Sequence, residues 1–331
     1  MKRFLDLADF TREEVLSLLE LARRLERQPE PRALAGKLLG LVFCNPSLRT
    51  LASVQAAMVR LGGHSLVVSP GQGSWQMESR AGVVMDGVAA EHVREGIPVL
   101  ASYCDALGIR VFAEGHDLAR DLADTAFNTM AALTDKPLVN LESAINHPCQ
   151  ALADWKTLDD LAIPRAGRFV LSWAYHPRAL PLAVPAAALH MAALRGMEVV
   201  VLRPEGFALP APIMERARRA AATSGGSVRE TSERAEALSG AEVLYVKEWG
   251  ATSCYGDTAG DARLRSALTD WCVRGDWFGA AAQCRVMHCL PVRRNTAIAD
   301  EVLDSARSVV QRQAYNRLPA QMAVLHQLLR S

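Results

Sequence analysis

The sequence predicts an α/β fold made of two doubly wound domains with mainly parallel sheets. Three observations predict it. Short apolar runs of strand length alternate with stretches whose apolar residues recur at helical spacing. The chain has 331 residues, of which 50% are hydrophobic and 22% charged, enough to fill two cores. The second half repeats the alternation of the first without repeating its sequence.

The elements follow in order. Thr11 to Arg27 predicts an amphipathic helix, with Val15, Leu18, Leu19, Ala22 and Leu25 in register and Thr11 and Glu14 spaced as a capping box. Leu38 to Cys44 is an apolar strand broken by Asn45-Pro46. A helix follows from Ser47, carrying Leu51, Val54, Met58 and Leu61 on one face and ending at Gly62-Gly63. Ser65 to Ser69 reads as a strand and Gly71 to Arg80 as a loop with Trp75. Glu91 to Asp105 reads as a helix that Pro98 should kink. Gly108 to Phe112 is a strand holding a charged residue, Arg110, which marks a strand end or a site. Leu118 to Leu133 reads as a helix and Leu138 to Leu141 as a strand.

In the second half, Ala151 to Ala162 reads as a helix bridging the domains. Strands are expected at Arg168 to Tyr175, Glu198 to Arg203, Ala241 to Val246 and Cys284 to Cys289. Helices are expected in the stretch ending near Gly196 and at Ala211 to Thr223, Arg263 to Trp271, Ala297 to Asp304 and Arg317 to Arg330.

Composition narrows the function. Net charge is +1, with no basic block to suggest nucleic acid. The first residues lack a signal-peptide core, and no apolar run reaches membrane-spanning length. The seven cysteines form no Cys-x-x-Cys pairs, which argues against a disulfide framework or a zinc site and for a reduced cytoplasm.

The chemistry centres on Ser47-Leu48-Arg49-Thr50. A strand-to-helix turn there sets two hydroxyls, a guanidinium and free backbone N–H groups at the positive end of a helix, a place suited to phosphate. Alone, such a turn is more often an ordinary N-cap. Two later stretches change that reading: His147-Pro148-Cys149-Gln150 and His288-Cys289-Leu290-Pro291, each after a short apolar run. Alone, His147 would pass for a helix-start histidine, Gln150 for a surface residue and Cys289 for a small buried hydrophobe. Together, in this order and spacing, the three stretches resemble the aspartate/ornithine carbamoyltransferase family over essentially the whole chain.

The resemblance implies a carbamoyl phosphate-binding domain over residues 1–150, an amine-binding domain over 151–314, and a final helix, 315–331, that returns to the first domain. Carbamoyl transfer needs donors for an oxyanion, cations for the leaving phosphate and acceptors for the carbamoyl NH2, and calls for no metal or other cofactor. Ser47, Leu48, Arg49 and Thr50 are then assigned to carbamoyl phosphate. Arg110 and His147 are assigned to the bridge between its phosphate and carbonyl oxygens. Gln150 and the Leu290 carbonyl would accept the NH2 hydrogens. Arg317 matches a further phosphate-binding arginine of the family's acylornithine branch, and Thr50, Arg110, His147 and Gln150 form the expected catalytic set. The loop Gln72-Gly73-Ser74-Trp75 resembles one that reaches into a neighbouring subunit, implying a homotrimer with shared active sites. One departure stands out: the family often has Arg-Thr-Arg, and here Leu51 replaces the second arginine.

For the amine substrate, the family's ornithine loop with Ser-Met-Gly is absent. Val246-Lys247-Glu248-Trp249 resembles the Lys-x-Trp segment of the N-acylornithine branch, and Lys247 would attract a carboxylate. Glu142 also matches that branch. Cys289 is assigned to the acylornithine by the same resemblance, while His176 and Arg178, Arg293, Ala90 and the absence from Asn295-Thr296-Ala297 of the acetyl branch's lysine point to an N-succinyl group in preference to N-acetyl. Arg can hold a second carboxylate with two parallel bonds. The acetyl branch has Glu at the place of Ala90, where it would repel that carboxylate. The expected reaction is carbamoylation of N-succinyl-L-ornithine in arginine biosynthesis, with N-acetyl-L-ornithine as the alternative. A nucleotide-binding oxidoreductase would need Gly-x-Gly-x-x-Gly, and Gly71-Gln72-Gly73 lacks the third glycine. A silent family member is disfavoured by the intact Arg49, Arg110, His147 and Gln150.

Overall fold

The computed structural model describes residues 1–279, 281 and 283–330. Residues 1–114, 119–149 and those from 317 onward form one unit; residues 115–118 and 150–316 form another.

The first unit carries β1 (Arg3–Phe4), β2 (Leu38–Phe43), β3 (His64–Val68), β4 (Met77–Glu78), β5 (Glu91–His92), β6 (Ala106–Arg110) and β7 (Leu138–Glu142). Its main sheet has the order β1-β7-β6-β2-β3, parallel throughout. β6 and β7 are buried along their whole length, so apolar residues dominate them although β6 ends in Arg110 and β7 holds Asn140 and Glu142. The chain winds from β2 to β3 on one side and from β6 to β7 on the other. The order reverses between β2 and β6, and ligands of doubly wound sheets bind at the carboxyl ends of strands at such a point.

Its first helix, Arg12–Arg27, has the capping box that Thr11 and Glu14 announce. The last helix, Arg317–Leu329, packs back on Arg12–Arg27 and on Leu48–Arg60. Two expectations are corrected. The helix foreseen from Glu91 begins at Val93, because Glu91 and His92 pair with β4 and His92 caps the helix. The helix foreseen over Leu118 to Leu133 breaks into Leu118–Leu122 and Thr125–Ala131. Asp124 lies between them at φ 52, and its carboxylate accepts from Ser143 Oγ (2.5 Å) and Ala144 N (3.0 Å). Those bonds hold a backbone conformation that non-glycine residues rarely adopt.

The second unit carries β8 (Arg168–Trp173), β9 (Glu198–Leu202), β10 (Ser227–Thr231), β11 (Ala241–Lys247) and β12 (Arg285–Met287), in the parallel order β10-β9-β8-β11-β12. The order reverses between β8 and β11. The sequence reading missed β10, a half-exposed edge strand of Ser-Val-Arg-Glu-Thr with no apolar run to reveal it. The helix placed at Arg263 to Trp271 is Thr258–Ser266, started by Asp257, which accepts from Gly260 N at 2.9 Å. The helix placed from Ala297 starts only at Asp300, because the backbone on either side of Ile298 bonds with Val273. Among the described residues no helix is long and apolar enough to cross a membrane.

Candidate active site

In the first unit, the turn after β2 is tied to β6. Cys44 N donates to Arg110 O at 3.0 Å, and Phe112 N donates to Asn45 Oδ1 at 2.8 Å. Ser47 then caps helix Leu48–Arg60, its Oγ accepting from Thr50 N at 3.2 Å. The N–H groups of the first turn lie at the positive end of that helix. Leu48 is 78% exposed, so its contribution to an anion would be its backbone N–H. Thr50 is fully buried, and its Oγ1 accepts from Arg317 Nη2 at 2.7 Å.

Arg110 ends β6. Its Nε donates to Asn45 O (3.1 Å), its Nη2 to Pro46 O (3.4 Å), its Nη1 to Glu142, and its guanidinium lies 4.5 Å from the Phe112 ring centre. Glu142, at the end of β7, also places Oε2 3.3 Å from His147 Nε2. His147 Nδ1 has no hydrogen-bond partner among the described residues. Burial, followed by the charges of Arg317, Arg110 and Arg49, pushes the His147 pKa well below the usual imidazole value, so the ring is neutral. Burial also lowers the pKa of the Arg317 guanidinium. Three guanidiniums, Arg49, Arg110 and Arg317, act on His147, and Glu142 pairs with Arg110. Such a set of guanidiniums suits a phosphate group. The Cys149 thiol is pushed up by burial to about 12 and is no nucleophile.

Glu142, which the resemblance assigns to the amine substrate, therefore sits on donors of Arg110 and His147 that the same resemblance assigns to carbamoyl phosphate. Trp75 and Ala90 belong to another stretch of this unit. Trp75 is 58% exposed and donates its indole N–H to Glu91 at 2.6 Å. Ala90 is exposed, and its N–H donates to Gln76 O at 3.2 Å.

In the second unit, the residues beyond β8, β11 and β12 converge. Lys247 Nζ donates to Glu248 Oε2 at 2.7 Å, and both Glu248 oxygens lie 3.3 Å from His288 Nε2. Burial pushes the Glu248 carboxyl up, but Lys247 and His288 outweigh it and hold it well below the usual range. Leu290 stands at φ 59, with its N–H donating to His288 Nδ1 at 2.9 Å. Cys289 beside it is buried. Arg293 Nε donates to His176 Nε2 at 3.0 Å, and His176 is kept neutral by burial. Arg265 Nη1 donates to the carbonyls of His176 (2.9 Å) and Arg178 (3.0 Å), fixing that turn while the Arg178 side chain stays exposed.

Gln150 lies in the first turn of helix Pro148–Asp160 and donates Nε2 to Asp154 Oδ1 at 2.8 Å. Its Oε1 is buried and has no hydrogen-bond partner among the described residues. Sequence reasoning missed Asp154, Tyr245, Gln313 and Glu248 as parts of this cluster, and named His288 only as the start of its motif. Asp154 carried a signal, since it stands four residues after Gln150 on one helical face. Gln313 carried none.

The chain matches known proteins over most of its length. Residues 2–160 match the family domain described as aspartate/ornithine carbamoyltransferase, carbamoyl-P binding domain. Residues 184–328 match its Asp/Orn binding domain. An N-acetylornithine carbamoyltransferase from Xanthomonas campestris pv. campestris is 35% identical over 99% of this chain and 98% of its own length. An N-succinylornithine carbamoyltransferase from Bacteroides thetaiotaomicron is 34% identical over 88% of this chain and 87% of its own. Among solved structures, an acetylornithine transcarbamylase complexed with acetylcitrulline has a TM-score of 0.94 at 35% identity, covering 99% of each chain. A variant of N-acetyl-L-ornithine transcarbamylase with a glutamate replaced by alanine is complexed with carbamyl phosphate and N-succinyl-L-norvaline. It has a TM-score of 0.94 at 35% identity, covering 99% of this chain and 100% of its own.

Proposed function

The chain belongs to the aspartate/ornithine carbamoyltransferase family, and on that premise we propose that it carries the carbamoyl group of carbamoyl phosphate to the side-chain amine of N-succinyl-L-ornithine. The products are N-succinyl-L-citrulline and phosphate, and the role is in arginine biosynthesis. The observation that carries the phosphate half is the set of guanidiniums, buried Arg110 and Arg317 with half-buried Arg49, that surrounds neutral His147.

The neutral amine attacks the carbamoyl carbon and a C–N bond forms. The C–O bond to phosphorus breaks, and the amine's proton leaves with the phosphate, which departs as hydrogen phosphate. Ser47, Thr50, the first-turn N–H groups and the three arginines hold the phosphate and its growing charge. Arg110 and His147 Nε2–H stabilise the oxyanion. Both are now engaged with Glu142, so the substrate's oxygens replace a carboxylate already in place. Gln150 Oε1 and the Leu290 carbonyl accept the NH2 hydrogens and orient the carbonyl for attack.

Lys247 and Glu142 are assigned to the amine substrate, Lys247 to its α-carboxylate. An acylated α-nitrogen is uncharged and needs no carboxylate partner. His176, Arg178, Cys289 and Arg293 are assigned to the acyl side. Two features support succinyl over acetyl. Arg178 and Arg293 offer cations to a second carboxylate, and Ala90 stands, by resemblance, where the acetyl branch has Glu. An N-acetyl-L-ornithine transcarbamylase with a glutamate replaced by alanine holds N-succinyl-L-norvaline, as do its variants with proline, serine or valine there.

The assembly we assign is a homotrimer in which Trp75 serves a neighbour's phosphate site. The exposed apolar side chains of the first unit, among them Leu48, Val59, Trp75, Val84, Val88 and Tyr103, support a buried interface there. The seven free thiols fit the cytoplasm. The direct assay follows citrulline-type product from carbamoyl phosphate and each acylornithine. Product from neither would contradict the reaction.

A further inference from the structure

Asp154 is the hub of a buried polar chain in the second unit. Its carboxylate accepts from Gln150 Nε2 (2.8 Å), Gln313 Nε2 (2.8 Å) and Tyr245 Oη (2.9 Å). Burial and the charge of Asp154 raise the Tyr245 pKa well above its usual value, so the phenol keeps the proton it donates. A carboxylate accepts and cannot donate, so each amide that meets it must turn its NH2 inward and its oxygen away.

The consequence differs for the two glutamines. Gln313 Oε1 accepts from His288 N at 2.9 Å. His288 Nδ1 in turn accepts from Leu290 N at 2.9 Å, which helps hold Leu290 at φ 59. That bond leaves the imidazole proton on Nε2, facing Glu248. Gln150 Oε1 finds no donor: it is buried and lacks a hydrogen-bond partner among the described residues. A buried acceptor left open costs free energy unless a ligand satisfies it.

We infer that Asp154 and Gln313 are positioning residues for the amide end of carbamoyl phosphate. Asp154 aims the oxygen of Gln150, and Gln313 links the same carboxylate to His288 and through it to the Leu290 backbone. Both acceptors of the carbamoyl NH2 hang from one carboxylate. The inference rests on the assignment of those acceptors to the NH2 in the proposed function. Neither Asp154 nor Gln313 need touch the ligand.

Acetyl phosphate tests this, because it carries CH3 where carbamoyl phosphate carries NH2 and can donate nothing to Gln150. On the full chain, calorimetry should show carbamoyl phosphate bound at least about tenfold more tightly than acetyl phosphate, since the methyl group donates to neither Gln150 nor the Leu290 carbonyl. In Asp154→Asn that preference should fall to about unity, with acetyl phosphate affinity changed by less than about twofold. Equal loss of affinity for both ligands, or an unchanged preference, overturns the inference and leaves the reaction standing. A native chain that binds neither ligand overturns the functional reading and this inference with it. Should Asp154→Asn not fold, Gln313→Met decides: it should lose about threefold of the preference, and an unchanged preference refutes the linkage.

Discussion

Arg317 Nη2 donates to Thr50 Oγ1 at 2.7 Å, a bond between residues 267 positions apart. It brings the start of the last helix to the phosphate turn and closes the cation cluster. Arg317→Ala should weaken carbamoyl phosphate binding by about ten- to a hundredfold, the range of one charge-assisted hydrogen bond. The melting temperature should change little, because the substitution also removes a buried charge. Calorimetry and thermal unfolding on one sample check both parts. A large loss of stability with unchanged affinity would assign Arg317 to packing.

Glu142 engages Arg110 and His147, the donors that the proposed function gives to carbamoyl phosphate. Glu142→Gln keeps the shape and removes the charge. Carbamoyl phosphate should then bind more tightly, by about tenfold, since an anion no longer shares its site with a carboxylate. Turnover with the acylornithine should fall, because Glu142 is assigned to that substrate too. Weaker carbamoyl phosphate binding in this variant would mean that Glu142 orients the donors rather than competing for them.

His147 gives a pH dependence whose sign is fixed. Its folded-state pKa lies well below 6.5, the ordinary value that it regains on unfolding. Between the two values the unfolded chain binds a proton that the folded chain does not. The stability it contributes is therefore present above pH 6.5 and is lost as pH falls through the folded pKa. Denaturant unfolding from pH 7.5 downward should show native stability falling more steeply than that of His147→Gln. Parallel curves would show that His147 titrates normally.

Much of this was legible in the sequence, and for physical reasons. β2, β6 and β7 announce themselves because both faces of a parallel strand are buried. Thr11 and Ser47 announce their helices because capping needs a hydroxyl at a fixed spacing. Arg110 stood out as a charge in an apolar run. What stayed hidden depends on distant partners. Asp124 breaks a helix because Ser143 and Ala144 bond to it. Ala297 is not helical because it bonds with Val273. Glu248 was passed over beside Lys247, since nothing local shows that His288 meets it. Asp154 and Gln313 meet across 159 positions, a pairing that no window of sequence can report.

The shared-site reading has a test of its own. Arg49→Ala and Trp75→Ala should each abolish most activity. Subunits of the two variants, mixed and allowed to exchange, should recover part of it, since some mixed trimers hold a site with both residues native. In the free chain Trp75 donates to Glu91, so Glu91→Gln should leave activity largely intact. Sedimentation as a monomer, with no recovery on mixing, would contradict the trimer.

The central claim is the choice of substrate, and one comparison tests it most directly: kcat/KM for N-succinyl-L-ornithine and for N-acetyl-L-ornithine, on the native chain and on Ala90→Glu. The native chain should favour the succinyl substrate by about tenfold or more, the worth of one satisfied carboxylate. Ala90→Glu should move the ratio toward acetyl by placing a like charge against the second carboxylate. A native chain that uses N-acetyl-L-ornithine equally well or better would contradict the account.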